Sequence, residues 1–168
     1  MPKLKANKKY TYADYLTWPD DERWEIIDGV PYQMAAPSWE HQSISSSLIA
    51  QFNIYLEGKP CQAFSAPFDL RLPEPGKSDE ESTAVVQPDL VIICDSSKLK
   101  GTGYCGVPDL IIEIESPSSA HTDRVKKLNL YERAGVSEYW IVEPVNKMVS
   151  VFLLQNGRYG RPQYYSVI

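Results

Sequence analysis

Cysteine, histidine and positive charge are all scarce in this chain, and each shortage removes a class of protein. Of 168 residues only three are cysteine and two are histidine. Cys61, Cys94 and Cys105 are odd in number and no two have CxxC spacing, which argues against a disulfide framework and against a thiolate zinc site. A reducing cytoplasm is the simplest setting for such a chain. Long apolar runs are missing as well. The longest, such as Leu90 to Cys94 and Leu110 to Ile112, fall far short of the roughly 20 residues a membrane span needs. Residues 1–9 are basic with no apolar stretch behind them, so they read as a loose arm rather than a signal peptide. The net charge is −5, which by composition alone does not favour a partner rich in phosphate.

What is present is enough for one compact domain. Apolar residues make up 43% of the chain, and the 13 prolines mostly sit at the edges of apolar runs. Thr11 can cap a short helix over residues 12–16. Residues 24–27 and 30–34 read as strands around Asp28-Gly29, a hairpin turn signal. Ser38 opens a long helix to about Leu56, with Ile44, Leu48, Ile49, Phe52 and Leu56 at helical spacing and Gly58 as the stop. Residues 62–72 read as strand broken at Pro67, and 73–83 as a polar, acidic surface loop. Residues 85–94 and 109–115 read as buried strands, 118–134 as a helix ended by Gly135, and 138–143 as another strand. A final hairpin spans 148–154 and 158–168 around Asn156-Gly157. A βαβ step from 109 to 143, with strands and helices interleaved, predicts a single α/β domain over 10–168 with a mixed central sheet flanked by helices. Gly101 to Gly106 matches GxGxxG, but it precedes a strand rather than a helix, so no dinucleotide site is expected.

Acids stand where apolar side chains belong. Asp89 follows Pro88 at the mouth of one strand, and Glu113 and Glu115 interrupt the end of the other. Side chains alternate along a strand, so Ile111, Glu113 and Glu115 share one face. Adjacent carboxylates in a buried setting cost several kcal/mol unless something pairs them. A hard divalent cation, Mg²⁺ or Mn²⁺, would meet that cost with carboxylate ligands and retained waters. If the two strands pair antiparallel, Asp89 and Glu113 reach the same end of the sheet. The competing reading has these acids at solvated strand ends or paired with Lys and Arg. His41 begins the long helix, where a helix N-terminus favours anions, and is a candidate to contact a phosphate.

The motifs Pro88-Asp89-Leu90, Asp109 to Ile114, Ser116-Pro117-Ser118, then Asp123, Lys127 and Tyr131, and finally Ala134 to Pro144, together resemble the Uma family of restriction-endonuclease-like bacterial proteins. Trp24 to Val30 and His41 look like that family's front end. The resemblance covers nearly the whole chain and implies a fold similar to the PD-(D/E)xK nucleases. It implies that Asp89 and Glu113 are catalytic metal ligands, aided by the Ile114 backbone carbonyl. The superfamily's Lys two residues after Glu113 is absent, and Glu115 stands there as a further candidate ligand. The Lys is then expected on the following helix, with Lys127 as first candidate and Lys126 as second. Taken alone, Lys127 reads as an i,i+4 pair with Asp123. Glu25 is expected near the metal. His41, Lys126 and Arg124 are the candidate substrate contacts.

These expectations combine into an endonuclease that hydrolyses DNA through a metal-activated water. Its charge of −5 is tolerated if Arg124, Lys126, Lys127 and Arg133 on one helix and Lys98 and Lys100 in the adjacent loop cluster near the site while the acidic loop around Asp79-Glu80-Glu81 projects away. A homodimer is expected because nuclease relatives pair to cut two strands. The alternative, supported by Glu115 and the acidic balance, is a catalytically idle member of the same fold that binds nucleic acid or a protein partner.

Overall fold

The computed structural model describes residues 4–166. Of the basic arm, residues 1–3 lie outside the described residues, and 4–9 are exposed without helix or strand. The last two residues of the expected C-terminal strand also lie outside. The architecture is mixed α/β, as expected, but it is built from two mixed sheets rather than one.

Helix α1 (Tyr12–Tyr15) leads into the hairpin β1 (Trp24–Ile27) and β2 (Val30–Gln33). Its turn places Asp28 at φ 53° and Gly29 at φ 80°, the two left-handed positions that match the strands' twist. Helix α2 (Trp39–Leu56) starts at Ser38, whose side chain accepts the His41 N–H. Strands β3 (Gln62–Ser65) and β4 (Asp69–Arg71) follow, separated at Pro67 as the sequence suggests.

The expected single strand from 85 to 94 is broken. β5 (Val85–Val86) and β6 (Leu90–Ile93) belong to different sheets, and Gln87-Pro88-Asp89 is the crossing between them. Proline has no N–H to give a ladder, so Pro88 is where the pairing must stop. The glycine-rich loop holds two short strands, β7 (Leu99–Lys100) and β8 (Gly103–Cys105). At Gly103 a Cβ would stand 1.8 Å from the Asp69 carbonyl oxygen, so β8 can lie beside β4 only because that residue lacks a side chain.

Strand β9 (Leu110–Ile114) is followed by a π-helical turn (Thr122–Lys127), helix α3 (Leu128–Ala134), and β10 (Glu138–Glu143), which returns parallel to β9. Gly135, at φ 85°, ends α3 in the left-handed conformation. Strands β11 (Met148–Gln155), β12 (Arg158–Tyr159) and β13 (Gln163–Ser166) complete the chain. The first sheet runs β2-β1-β5-β4-β8-β7. The second runs β12-β11-β10-β9-β6-β3, with β13 also on β11.

One core lies between the sheets and α3, around Leu70, Val91, Ile111, Tyr131, Tyr139 and Ile141. A second lies between the other face of the large sheet and α2, around Leu90, Ile112 and Ile114. The alternation along β6 and β9 thus feeds both cores, which is why these strands read as continuous apolar runs.

Two expectations fail here. The acidic loop 73–83 does not project away: Asp79 bonds the buried Arg71 at 2.7 Å, and Glu74 accepts from Thr83. The cysteines do pair. Cys61 and Cys94 form a disulfide with their Cα atoms 3.9 Å apart. Their spacing of 33 residues hides that β3 and β6 are antiparallel with Gln62 opposite Ile93, which sets the two cysteines opposite each other one step further out. Cys105 is free. Among the described residues, no helix is long and apolar enough to cross a membrane.

Candidate active site

The register of β6 and β9 decides the floor of the site. Leu90 lies opposite Ile112, so one step outward Asp89 stands opposite Glu113. The antiparallel pairing that the sequence left conditional is therefore present. Asp89 Oδ2 accepts the Ile114 N–H at 2.7 Å and lies 3.0 Å from His41 Nε2. His41 reaches it from the first turn of α2, where the Ser38 cap fixes the start of the helix.

Glu113 is buried, and its Oε1 accepts from Lys127 Nζ and from the Tyr131 hydroxyl, each at 2.9 Å. Lys127 Nζ also donates to Glu25 Oε1 at 2.9 Å and stands 3.8 Å from Asp123 Oδ1. Glu25 comes from β1 of the other sheet, and its Oε1 also accepts the Gln87 N–H at 2.8 Å. The π-helical turn buries Asp123 and Lys127 while Arg124 and Val125 stay exposed. Such turns displace side chains from the ordinary helical spacing and recur at functional sites.

The charges here do not balance locally. One ammonium meets Glu25, Glu113 and Asp123, with Asp89 adding its field. Burial, with the neighbouring Asp123, Asp89 and Glu25 carboxylates, holds Glu113 well above the usual carboxylate range despite Lys127. Burial likewise pushes Asp123 up to about 6. Burial alone would discharge Lys127, but Glu113, Glu25 and Asp123 outweigh it and keep the ammonium firmly protonated.

Glu25, His41, Asp89, Glu113, Ile114 and Lys127, all singled out in the sequence, line one cleft of about 720 Å³. Glu115 lines it too, but its carboxylate is held by Arg124 Nε at 2.5 Å, and Arg124 also bridges to Glu143 at 2.9 Å. Arg124 and Lys126 are not in the lining; Lys126 donates to the Tyr32 hydroxyl at 2.9 Å. The expected basic patch is dispersed into pairs, with Lys98 on Asp95, Lys100 near Asp79 and Arg133 on Asp28. Asp123 and Tyr131 appeared in the sequence only as motif residues, and the i,i+4 spacing of Asp123 to Lys127 was the one signal of their contact. Gln87 and Arg23, which join the site from the crossing and from the mouth of β1, gave no sequence signal.

The model of the Uma2 family, described as "Putative restriction endonuclease", matches residues 12–166. The chain belongs to the Uma2 family. An uncharacterized protein of Synechocystis sp. is 26% identical over 147 residues, which is 86% of this chain and 74% of that protein. The crystal structure of "a putative nuclease belonging to DUF820" from Anabaena variabilis superposes with a TM-score of 0.75 at 19% identity, covering 94% of this chain and 84% of that one. That likeness shows the fold: this Uma2 chain has a nuclease-like architecture.

Restriction-endonuclease-like families generally use divalent metals, and the donor chemistry of the cleft suits one. The polar contacts described for Glu113 and Glu25 all end on Oε1, and those for Asp89 on Oδ2, so each carboxylate keeps a second oxygen. No three His, Cys, Asp or Glu side chains among the described residues are grouped closely enough to cage a metal. Mg²⁺ characteristically takes one or two carboxylates and fills its shell with water and substrate oxygens, so a full cage is not required.

Proposed function

We propose that this Uma2 protein is a divalent-metal-dependent endonuclease that hydrolyses phosphodiester bonds of DNA at the Asp89–Glu113 end of β6 and β9. The observation that carries the reading is the pairing of these two acids in register at the floor of a cleft, beside a buried lysine held by three carboxylates. Asp89 and Glu113 would hold Mg²⁺ or Mn²⁺, with the Ile114 carbonyl beside them. When bound, the ion would lower the pKa of a coordinated water and polarise a phosphoryl oxygen. The Ile114 N–H and His41 keep the Asp89 carboxylate oriented. Tyr131 and Lys127 do the same for Glu113. Lys127, anchored from the other sheet by Glu25, supplies the positive charge nearest Glu113 and would stabilise charge developing on the scissile phosphate. Cutting both strands of a duplex fits a homodimer.

A second reading has one observation in its favour. The cleft is lined by more carboxylates than permanent cations, with Arg23 and Lys127 facing Glu25, Glu40, Asp89, Glu113, Glu115 and Asp123. An acidic rim suits a protein that binds a cation or a protein partner without turning over DNA.

Supercoiled plasmid incubated with Mg²⁺ or Mn²⁺ separates the two. Wild type should nick it, and Asp89→Ala, Glu113→Ala and Lys127→Ala should each lose about 100-fold or more of the rate. Equal activity in all four rejects these roles. No activity in any, with Mn²⁺ binding retained in wild type and lost in Asp89→Ala, selects the second reading.

A further inference from the structure

The two permanent cations lining the cleft are in opposite states. Lys127 is engaged by Glu25, Glu113 and Asp123. Arg23, at the mouth of β1, is held at one end only. Its Nε donates to Gln87 Oε1 at 2.9 Å, while its Nη2 is shielded from solvent and has no partner. A guanidinium cannot escape this by losing a proton. A buried charged donor without an acceptor is costly, and native proteins rarely keep one. Among the described residues, the other buried side-chain nitrogen without a partner is His41 Nδ1, and it belongs to a residue lining the same cleft. The Arg23 Nη2 is where a ligand would supply an acceptor.

Gln87 fixes where that donor sits. Its amide nitrogen is bound by Asp69 and Tyr15, so its oxygen is turned to Arg23. Its backbone N–H donates to Glu25, the residue that anchors Lys127. One crossing residue therefore sets the guanidinium and the buried ion cluster in a fixed relation.

We infer that Arg23 binds a phosphate oxygen of the substrate, with Gln87 as the positioning residue that holds its fork. The ligand chemistry follows from the donor. A planar guanidinium with one edge held and one nitrogen unpartnered matches a tetrahedral oxyanion, and among the described residues it is the one permanent cation of this acid-rich lining that no carboxylate engages. The inference rests on the nuclease reading for its macromolecular source, and the test separates the two.

Wild type, Arg23→Gln and Arg23→Lys are titrated with inorganic phosphate while the Arg23 Nε–Hε resonance and the backbone amide spectrum are followed by nuclear magnetic resonance. The same proteins are titrated against a short fluorescein-labelled duplex in Ca²⁺, which supports binding without turnover, over a range of salt. Wild type should show a saturable shift of the Arg23 resonance with phosphate. Arg23→Gln should weaken duplex binding about ten-fold or more and lower the salt slope by about one, and Arg23→Lys should keep the slope but recover only part of the affinity. A native amide spectrum for Arg23→Gln excludes misfolding as the cause. Unchanged duplex affinity and slope in Arg23→Gln overturn the inference and leave the nuclease reading standing. A phosphate response at Arg23 with no duplex binding by wild type supports the anion site and overturns its nucleic-acid source. No response to either ligand overturns both.

Discussion

Two buried cations in this molecule sit among acids, and they teach different things. In the first sheet, Arg71 lies 1% exposed, its Nε on Asp79 at 2.7 Å, its Nη1 on the Asp69 carbonyl, its guanidinium 4.6 Å above the Tyr12 ring. Asp69 beside it accepts from Tyr15, Gln87 and Thr102. Burial opposes both charges of the Arg71–Asp79 pair, but their contact outweighs it: Asp79 is held below the usual carboxylate range and Arg71 above its own. That network is complete. Around Lys127 the count is lopsided, and burial drives Glu113 and Asp123 upward. A finished ion network stabilises a fold, while an unfinished one is suited to receive something.

The largest expected effect comes from removing each cation. Arg71→Met should cost about 3–5 kcal/mol relative to wild type in urea unfolding, because Asp79 is left without its partner, and that deficit should be the same in Mn²⁺ as in chelator because both proteins keep the cleft carboxylates. Lys127→Met should lose a comparable amount in chelator but regain about 3 kcal/mol when Mn²⁺ is raised to roughly a hundred times its dissociation constant. If Mn²⁺ leaves both variants equally weak, the distinction drawn between the two clusters is wrong.

Acidity sharpens the contrast with a smaller effect. Asp123 titrates near 6 in the folded protein, above its ordinary value of 3.8, so the folded state binds more protons between these values. Its favourable contribution is full below about 3.8 and is lost as pH rises through about 6, an effect on the order of 3 kcal/mol at most. Asp79 has the opposite sign: its lowered pKa gives stability that is present above its ordinary value and lost as pH falls. Melting temperatures in chelator should therefore decline more steeply for Asp123→Asn than for wild type between pH 7 and 4, and less steeply for Asp79→Asn below about pH 4. Parallel curves for all three would erase the difference.

The smallest effect tests the rim. Arg124 is 39% exposed and bridges Glu115 and Glu143. Solvent screens such a pair, so Arg124→Ala should shift stability by less than about 1 kcal/mol in urea unfolding. A loss comparable to that of Lys127→Met would mean that the rim belongs to the buried cluster.

The sequence by itself determined the elements that local chemistry controls. Asp28-Gly29 and Asn156-Gly157 define their turns because both pairs must adopt positive φ. Ser38 and Gly135 bound their helices, and strand alternation puts Asp89 and Glu113 on matching positions once their strands pair antiparallel. Only the tertiary structure decided what depends on residues far apart in the chain. It broke the run 85–94 at Pro88 into two sheets, joined Cys61 to Cys94, and drew the acidic loop onto Arg71. It buried Lys127 rather than Lys126 against Glu113, and it brought Glu25 and Arg23 to the cleft with Gln87 bonded behind them. The reason is physical. Backbone preferences and side-chain alternation act within a few residues, whereas the pairing of buried charges depends on which surfaces the packed sheets press together.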